Sequence, residues 1–191
     1  MKTYVALLRA VNVGGANSLP TKSFVRVLQQ MGLGTVKTYI QTGNAVFGAN
    51  SREEAGLSQK IKDRIRRSHG FAPEVILLSL DELEDAAASN PFPGADSNPK
   101  SLHLAFLVSA PGNTDMTALE KWRTEKEKYA LKGRIFYFYA PEGVGRSKLF
   151  SRIEKVLGVY GTARNWRTVC KLLEMAREVE GTGGKLPTSK R

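Results

Sequence analysis

The sequence predicts an α+β protein made of two halves, and three observations carry that expectation. Apolar strands and amphipathic helices alternate along the chain; the first six elements run strand, helix, strand, strand, helix, strand; and a Pro- and Gly-rich stretch divides the 191 residues near their middle. With 41% hydrophobic and 25% charged residues, a chain of this length can bury a sizeable core. That balance excludes disordered, collagen-like and coiled-coil chains.

Residues 4–8 are a continuous apolar run, the pattern of a strand covered on both faces. Phe24, Val27, Leu28 and Met31 fall at i, i+3, i+4 and i+7, a helical stripe that starts near Pro20 and stops at Gly32 and Gly34. Residues 36–40 and 44–47 are β-prone runs around Gln41-Thr42-Gly43, a hairpin with Gly43 free to take positive φ. Ile61 and Ile65 mark a helix in the basic stretch 60–67, closed by Gly70, and residues 75–80 form the next strand. Strand, helix, strand, strand, helix, strand is the split β-α-β arrangement called ferredoxin-like.

Residues 81–89 read as a short acidic helix, and the turn-rich residues 90–100 as the connection. The second half opens with a strand at 103–108, a helix over 114–128, a β-prone run at 134–139 and a helix at 147–157 stopped by Gly158. Asn165 caps a final helix with Trp166, Val169, Leu173 and Ala176 on one face. The expected organisation is two ferredoxin-like α/β halves packed together: 1–89, a connection at 90–100, and 101–180. A flexible basic tail follows at 181–191.

Basic residues outnumber acidic ones 29 to 18, and the surplus is concentrated: residues 121–171 hold 13 basic side chains against 4 acidic. Such a surplus attracts polyanions or small acidic ligands. One cysteine, Cys170, and two histidines exclude an intramolecular disulfide and make a zinc cage improbable, so neither metal nor cofactor is expected. Cys170 reads as an inert thiol buried in the last helix, and His69 and His103 as surface or core histidines rather than bases. The apolar start is interrupted by Arg9, too short for a signal peptide, which makes the expected location the cytoplasm.

Four segments place polar groups where a core does not need them. Arg9, Asn12, Gly14 and Gly15 follow the first strand, and strand, glycine turn, helix is how backbone N–H groups are brought onto an anion. Gln41, Gly43 and Asn44 sit at the hairpin tip. Arg146, Ser147 and Lys148 follow two glycines at an expected helix start, where cations oppose the helix dipole and so point to an external anion. Arg164, Asn165 and Arg167 flank another helix start, and the Arg fork suits phosphate. Each also has a plain reading: glycines for turns, Ser147 and Asn165 as caps, Trp166 as core.

Three of these segments, Leu7 to Gly15, Thr38 to Phe47 and Thr162 to Val169, resemble the bacterial domain of unknown function 1697 family. Asn90-Pro91-Phe92, Pro141-Glu142-Gly143 and Ser147-Lys148-Leu149 also match its pattern, and the resemblance runs from about residue 3 to 176. It implies two α+β halves of ferredoxin-like character, with no established activity. It also places Arg9, Asn12, Gly14, Gly15, Gln41, Gly43, Asn44, Ser147, Lys148, Arg164, Asn165, Trp166 and Thr168 at motif positions. The family usually has Gly at Ala10 and Ser at Thr42.

The segments are rich in donors and poor in acceptors. The reading this favours is a basic cleft between the halves that holds a phosphate- or carboxylate-bearing small ligand, a nucleotide first. Its lining would be Arg9, Asn12, Gln41, Asn44, Arg146, Lys148, Arg164 and Arg167. The alternative is an RNA-binding sheet whose Phe136, Tyr137, Phe138 and Tyr139 stack bases. No catalytic set can be assembled, and no membrane partner is expected.

Overall fold

The structure is a computed structural model that describes residues 1–50, 54–112 and 114–183. The chain divides into two compact units: Met1–Asp85 together with the chain from Lys171 onward, and Ala86–Cys170.

In the first unit, β1 (Lys2–Leu8) is the apolar run expected of a central strand, and its last six residues are all buried. It pairs antiparallel with β3 (Asn44–Ala49) on one side and β4 (Val75–Ser79) on the other, while β2 (Gly34–Thr38) lies outside β3. The order β2-β3-β1-β4 is that of a ferredoxin-like sheet. Helix α1 (Thr21–Gln30) buries Phe24, Val27 and Leu28, and α2 (Leu57–His69) buries Leu57, Ile61 and Ile65. These meet Tyr4, Ala6, Leu8 and Phe47 in one core on one face of the sheet. Gly70 ends α2 at φ 77°, and Arg66, Arg67 and His69 occupy its last turn, where the helix dipole favours cations.

Helix α3 (Leu80–Ala88) begins with a capping box. The Ser79 N–H donates to Glu82 Oε2 at 2.8 Å, and the Glu82 N–H donates to Ser79 Oγ at 3.1 Å.

The second unit repeats the plan. β5 (Leu102–Leu107) is central between β7 (Ile135–Tyr139) and β8 (Gly161–Asn165), with β6 (Lys128–Lys132) outside β7, all antiparallel, in the order β6-β7-β5-β8. Short helices α4 (Thr117–Glu120) and α5 (Ile153–Leu157) cover one face, over Ala105, Leu107, Phe136 and Phe138. Both halves therefore carry four-stranded antiparallel sheets with helices, which agrees with the expected α+β class and two-half plan.

Four expectations in this half need correction. The helix over 114–128 shrinks to the four residues of α4, after which the chain runs on in turns, the Trp122 N–H donating to Leu119 O and the Arg123 N–H to Glu120 O. Residues 128–132 are a strand instead, with Tyr129 and Leu131 packed on the core and a two-residue turn through Gly133, φ 56°. The helix expected from Ser147 begins only at a 3-10 turn, Phe150–Arg152. Residues 161–165, read as the approach to a helix, are edge strand β8, closing the second sheet.

Helix α6 (Trp166–Gly181) starts in the second unit and ends in the first, whereas the sequence reading gave it wholly to the second half. Its later turns pair with first-unit groups: Glu178 with Lys37, and Arg177 with Glu84. The buried stripe runs through Trp166, Val169, Leu172, Met175, Ala176 and Val179, so Leu172 takes the place expected for Leu173. Cys170, expected to be buried, is exposed, and partial burial with the nearby Asp96 charge pushes its thiol pKa up, away from reactivity. The tail expected at 181–191 lies, from residue 184 on, outside the described residues. Among the described residues no helix is long and apolar enough to cross a membrane.

Candidate functional site

In the first unit the ends of β1 and β2 and the starts of β3 and β4 share one end of the sheet, so the loop after β1 and the hairpin tip lie together. The loop is a clamp. Ala10, Asn12, Gly14, Gly15 and Asn17 all take φ between 52° and 79°. Ala10 at φ 54° explains why a glycine suits that position: the backbone is left-handed there.

Asn12 Nδ2 donates to Leu19 O at 3.0 Å and to Gln41 O at 2.6 Å, while its Oδ1 accepts from the Leu19 N–H at 2.8 Å. One amide thus ties loop to hairpin, and both ends are used. Asn44 is 1% exposed and donates to Tyr39 O and Thr42 Oγ1. Gly43, at φ 74°, lies so close to β1 that a Cβ there would meet Leu8 Cβ at 2.6 Å. The gap beside these residues is about 10 Å³, marginal for a single water. Asn12, Gly43 and Asn44 therefore build the turn. Gln41, Gly14 and Gly15 are exposed, and Arg9 is half-buried with its N–H donating to Glu74 O.

The second unit places its candidates at the end where β7 and β8 finish and β5 and β6 begin. There a cavity of about 330 Å³ opens between residues 122–127 and the 140–148 loop. Arg146, Ser147 and Lys148 line it. They precede the 3-10 turn rather than a helix, so the dipole argument made from the sequence does not apply to them. The Ser147 Oγ instead accepts from the Phe150 N–H at 3.0 Å, as a cap does, which leaves its own proton for donation. Among the described residues, neither Arg146 nor Lys148 has a side-chain hydrogen bond or ion pair, and both are exposed.

The opposite wall carries Trp122, Lys126 and Glu127, which the sequence reading missed because it placed them inside a helix. Lys126 pairs with Glu142 across the cavity, and that carboxylate holds the ammonium above its usual range. Glu127 is 6% exposed, and its Oε2 accepts from the Thr124 N–H at 2.9 Å. Trp122 is 37% exposed, with the Arg152 guanidinium 3.7 Å from its ring centre. The wall is fastened from behind. Arg123 Nε donates to Glu120 Oε2 at 2.7 Å and its NH1 to Glu127 O at 3.0 Å, and the Tyr129 hydroxyl donates to Glu120 Oε1 at 2.6 Å. Burial and that carboxylate push Tyr129 up to about 12.

The fourth segment is mostly structural. Arg164 is 8% exposed on the sheet face opposite α4 and α5, donating to Thr162 Oγ1 at 2.7 Å and Ala163 O at 2.9 Å; burial lowers it to about 10, so it stays charged at neutral pH. Asn165 Oδ1 caps α6 at the Thr168 N–H, and Trp166 Nε1 donates to Asp96 Oδ1 at 2.7 Å. Arg167 is exposed.

Phe136, Tyr137 and Phe138, three of the four rings named for the RNA reading, are at most 1% exposed and offer no face for stacking bases, while Tyr139 is half-buried. His103 is half-buried on β5: among the described residues its buried Nδ1 has no hydrogen-bond partner, its ring meets Phe150 edge-on at 5.9 Å, and burial lowers its pKa to about 4.

No protein of curated function matches the chain. Among solved structures, the chain is similar to a conserved bacterial protein, SP0830 from Streptococcus pneumoniae. The TM-score is 0.66 and the identity 24%, over 92% of this chain and 98% of that one, a likeness of fold. The family model described as a protein of unknown function, DUF1697, matches residues 1–137, which takes in Trp122, Lys126 and Glu127 and ends before Arg146. The chain belongs to the DUF1697 family.

Proposed function

We propose that the second-unit cavity binds a small ligand by its phosphate or carboxylate group, held by Arg146 and Lys148 with Ser147 as a third donor. One observation carries the reading: two cations without partners among the described residues, two positions apart, at a cavity of about 330 Å³. That volume falls in the range of small-molecule sites. Two neighbouring exposed cations repel each other, and an anion between them relieves the repulsion while accepting charge-assisted hydrogen bonds. Arg offers a planar fork and Lys a mobile point charge, a combination suited to a tetrahedral or planar oxyanion. The location we propose is the cytoplasm, supported by the single cysteine, which suits a reducing compartment.

The test is calorimetric titration of the full chain with inorganic phosphate, ribose 5-phosphate and citrate, repeated on the Arg146→Ala, Lys148→Ala double variant. Binding by at least one of these anions, lost in the variant with its melting temperature unchanged, is the expected result. No binding by any of the three, or binding that the double variant retains, overturns the proposal.

A further inference from the structure

The cavity that attracts an anion also contains a carboxylate, and the contradiction specifies the ligand. Glu127 is 6% exposed as a residue and is one of those that line the cavity. Its Oε2 accepts one backbone N–H, from Thr124, and among the described residues no hydrogen-bond donor reaches Oε1. Arg123 acts on Glu127 electrostatically, but its guanidinium is engaged by Glu120 and by the Glu127 carbonyl rather than by the carboxylate. An accessible carboxylate oxygen that retains its lone pairs, on a side chain otherwise held in place by burial, can accept from N–H donors of a ligand. A bare anion filling this space would be repelled by it. A ligand that is anionic at one end and rich in N–H groups at the other satisfies both walls.

Trp122 supplies the part between. It lines the same cavity, is 37% exposed, and has a guanidinium over one face of its ring, which leaves the other face for a planar group.

Resting on the anion-site reading above, we infer that the site takes a purine nucleotide of the guanine type, with its phosphate on Arg146 and Lys148, its base on Trp122 and its N–H edge on Glu127. Guanine presents two adjacent N–H donors, which matches a carboxylate whose one oxygen is free and whose other keeps a second lone pair. Bases with a single donor leave one of these acceptors unmet.

The experiment titrates the full chain with GMP, IMP and ribose 5-phosphate, by calorimetry and by Trp fluorescence, with Trp122→Leu identifying which of the two tryptophans reports. GMP is expected to bind at least about tenfold tighter than IMP, which lacks the exocyclic amine, the size of one hydrogen bond to a charged group. It should quench Trp122, and Glu127→Gln should remove the GMP advantage without lowering ribose 5-phosphate affinity. Equal affinities for GMP, IMP and ribose 5-phosphate overturn the base assignment but keep the anion site. Loss of all three overturns both. The GMP and IMP comparison needs only the unaltered protein, so the inference stays testable if Glu127→Gln does not fold.

Discussion

Replacing Gly43 by alanine separates a hairpin tip built for packing from one built for a ligand. Gly43 sits at φ 74°, and a Cβ added there would lie 2.6 Å from Leu8 Cβ and 3.1 Å from Leu8 Cγ. The left-handed conformation costs an alanine about 1–2 kcal/mol, of which about 0.4–1 kcal/mol is returned because alanine loses less freedom on folding. The contact adds more. Leu8 Cβ is fixed to the central strand and cannot swing away, and the Leu8 N–H donates to Gly43 O at 2.8 Å, which pins the two segments together.

Forcing an extra carbon into such packing costs roughly 1–3 kcal/mol, so Gly43→Ala should lose about 2–4 kcal/mol in all. Gly14→Ala is the control: φ there is 61°, but nothing lies within 4 Å, and the loss should be only about 1 kcal/mol. Urea unfolding followed by far-UV circular dichroism measures both. Leu8→Ala should not rescue Gly43→Ala, since the clashing Cβ remains. If the two glycine variants lie within about 0.5 kcal/mol of each other, the close-packing account of the tip is wrong.

Asn12→Ala removes three hydrogen bonds, one to Gln41 O that joins the loop to the hairpin and two with Leu19 O and N–H that close the loop on itself. It should cost about 1–3 kcal/mol in the same unfolding assay, while phosphate binding stays unchanged; a change in binding with stability intact would return Asn12 to the site. For His103 the folded pKa of about 4 lies below the ordinary 6.5, so the unfolded chain binds the extra proton between those values. Stability from this group is complete above pH 6.5, falls as the pH drops toward 4, and levels off below. The unaltered protein should lose about 2–3 kcal/mol more than His103→Phe between pH 7 and 4, and parallel stability curves for the two would refute the burial argument.

What could be read from the sequence followed local, strongly periodic signals. The stripe Phe24, Val27, Leu28 fixed α1, the apolar run of β1 marked a strand buried on both faces, and glycines at 43, 70 and 158 all take the positive φ expected at turns and helix ends. In the second half such signals thin out. Strand β6 alternates Lys128, Ala130 and Lys132 with Tyr129 and Leu131, a period of two hidden in a charged stretch that also suits a helix. Its pairing with β7 decides the matter, and that is a tertiary fact.

The same miss hid Trp122 and Glu127, since a helix scatters over several faces residues that an irregular segment gathers onto one wall. Conversely, Asn12, Asn44 and Asn165 looked like ligand groups because side-chain amides serve turns and caps equally well. Only the hydrogen-bond partners tell the two uses apart.

The division of labour among these polar groups bears on where function lies. At the first-unit loop and at the start of α6, the side-chain amides of Asn12, Asn44 and Asn165 bond to the chain itself, and removing them should cost stability. Arg146 and Lys148 are different: they cap nothing, pair with nothing among the described residues, and stand exposed beside one another. Folding gains nothing from them, and their mutual repulsion is a small cost. A residue pair that the fold does not need, placed at a cavity whose far wall carries Glu127 with an accessible carboxylate oxygen, is the arrangement expected of recognition rather than of architecture. Variants should accordingly split into two groups, amide changes that move the unfolding curve and cation changes that move only binding.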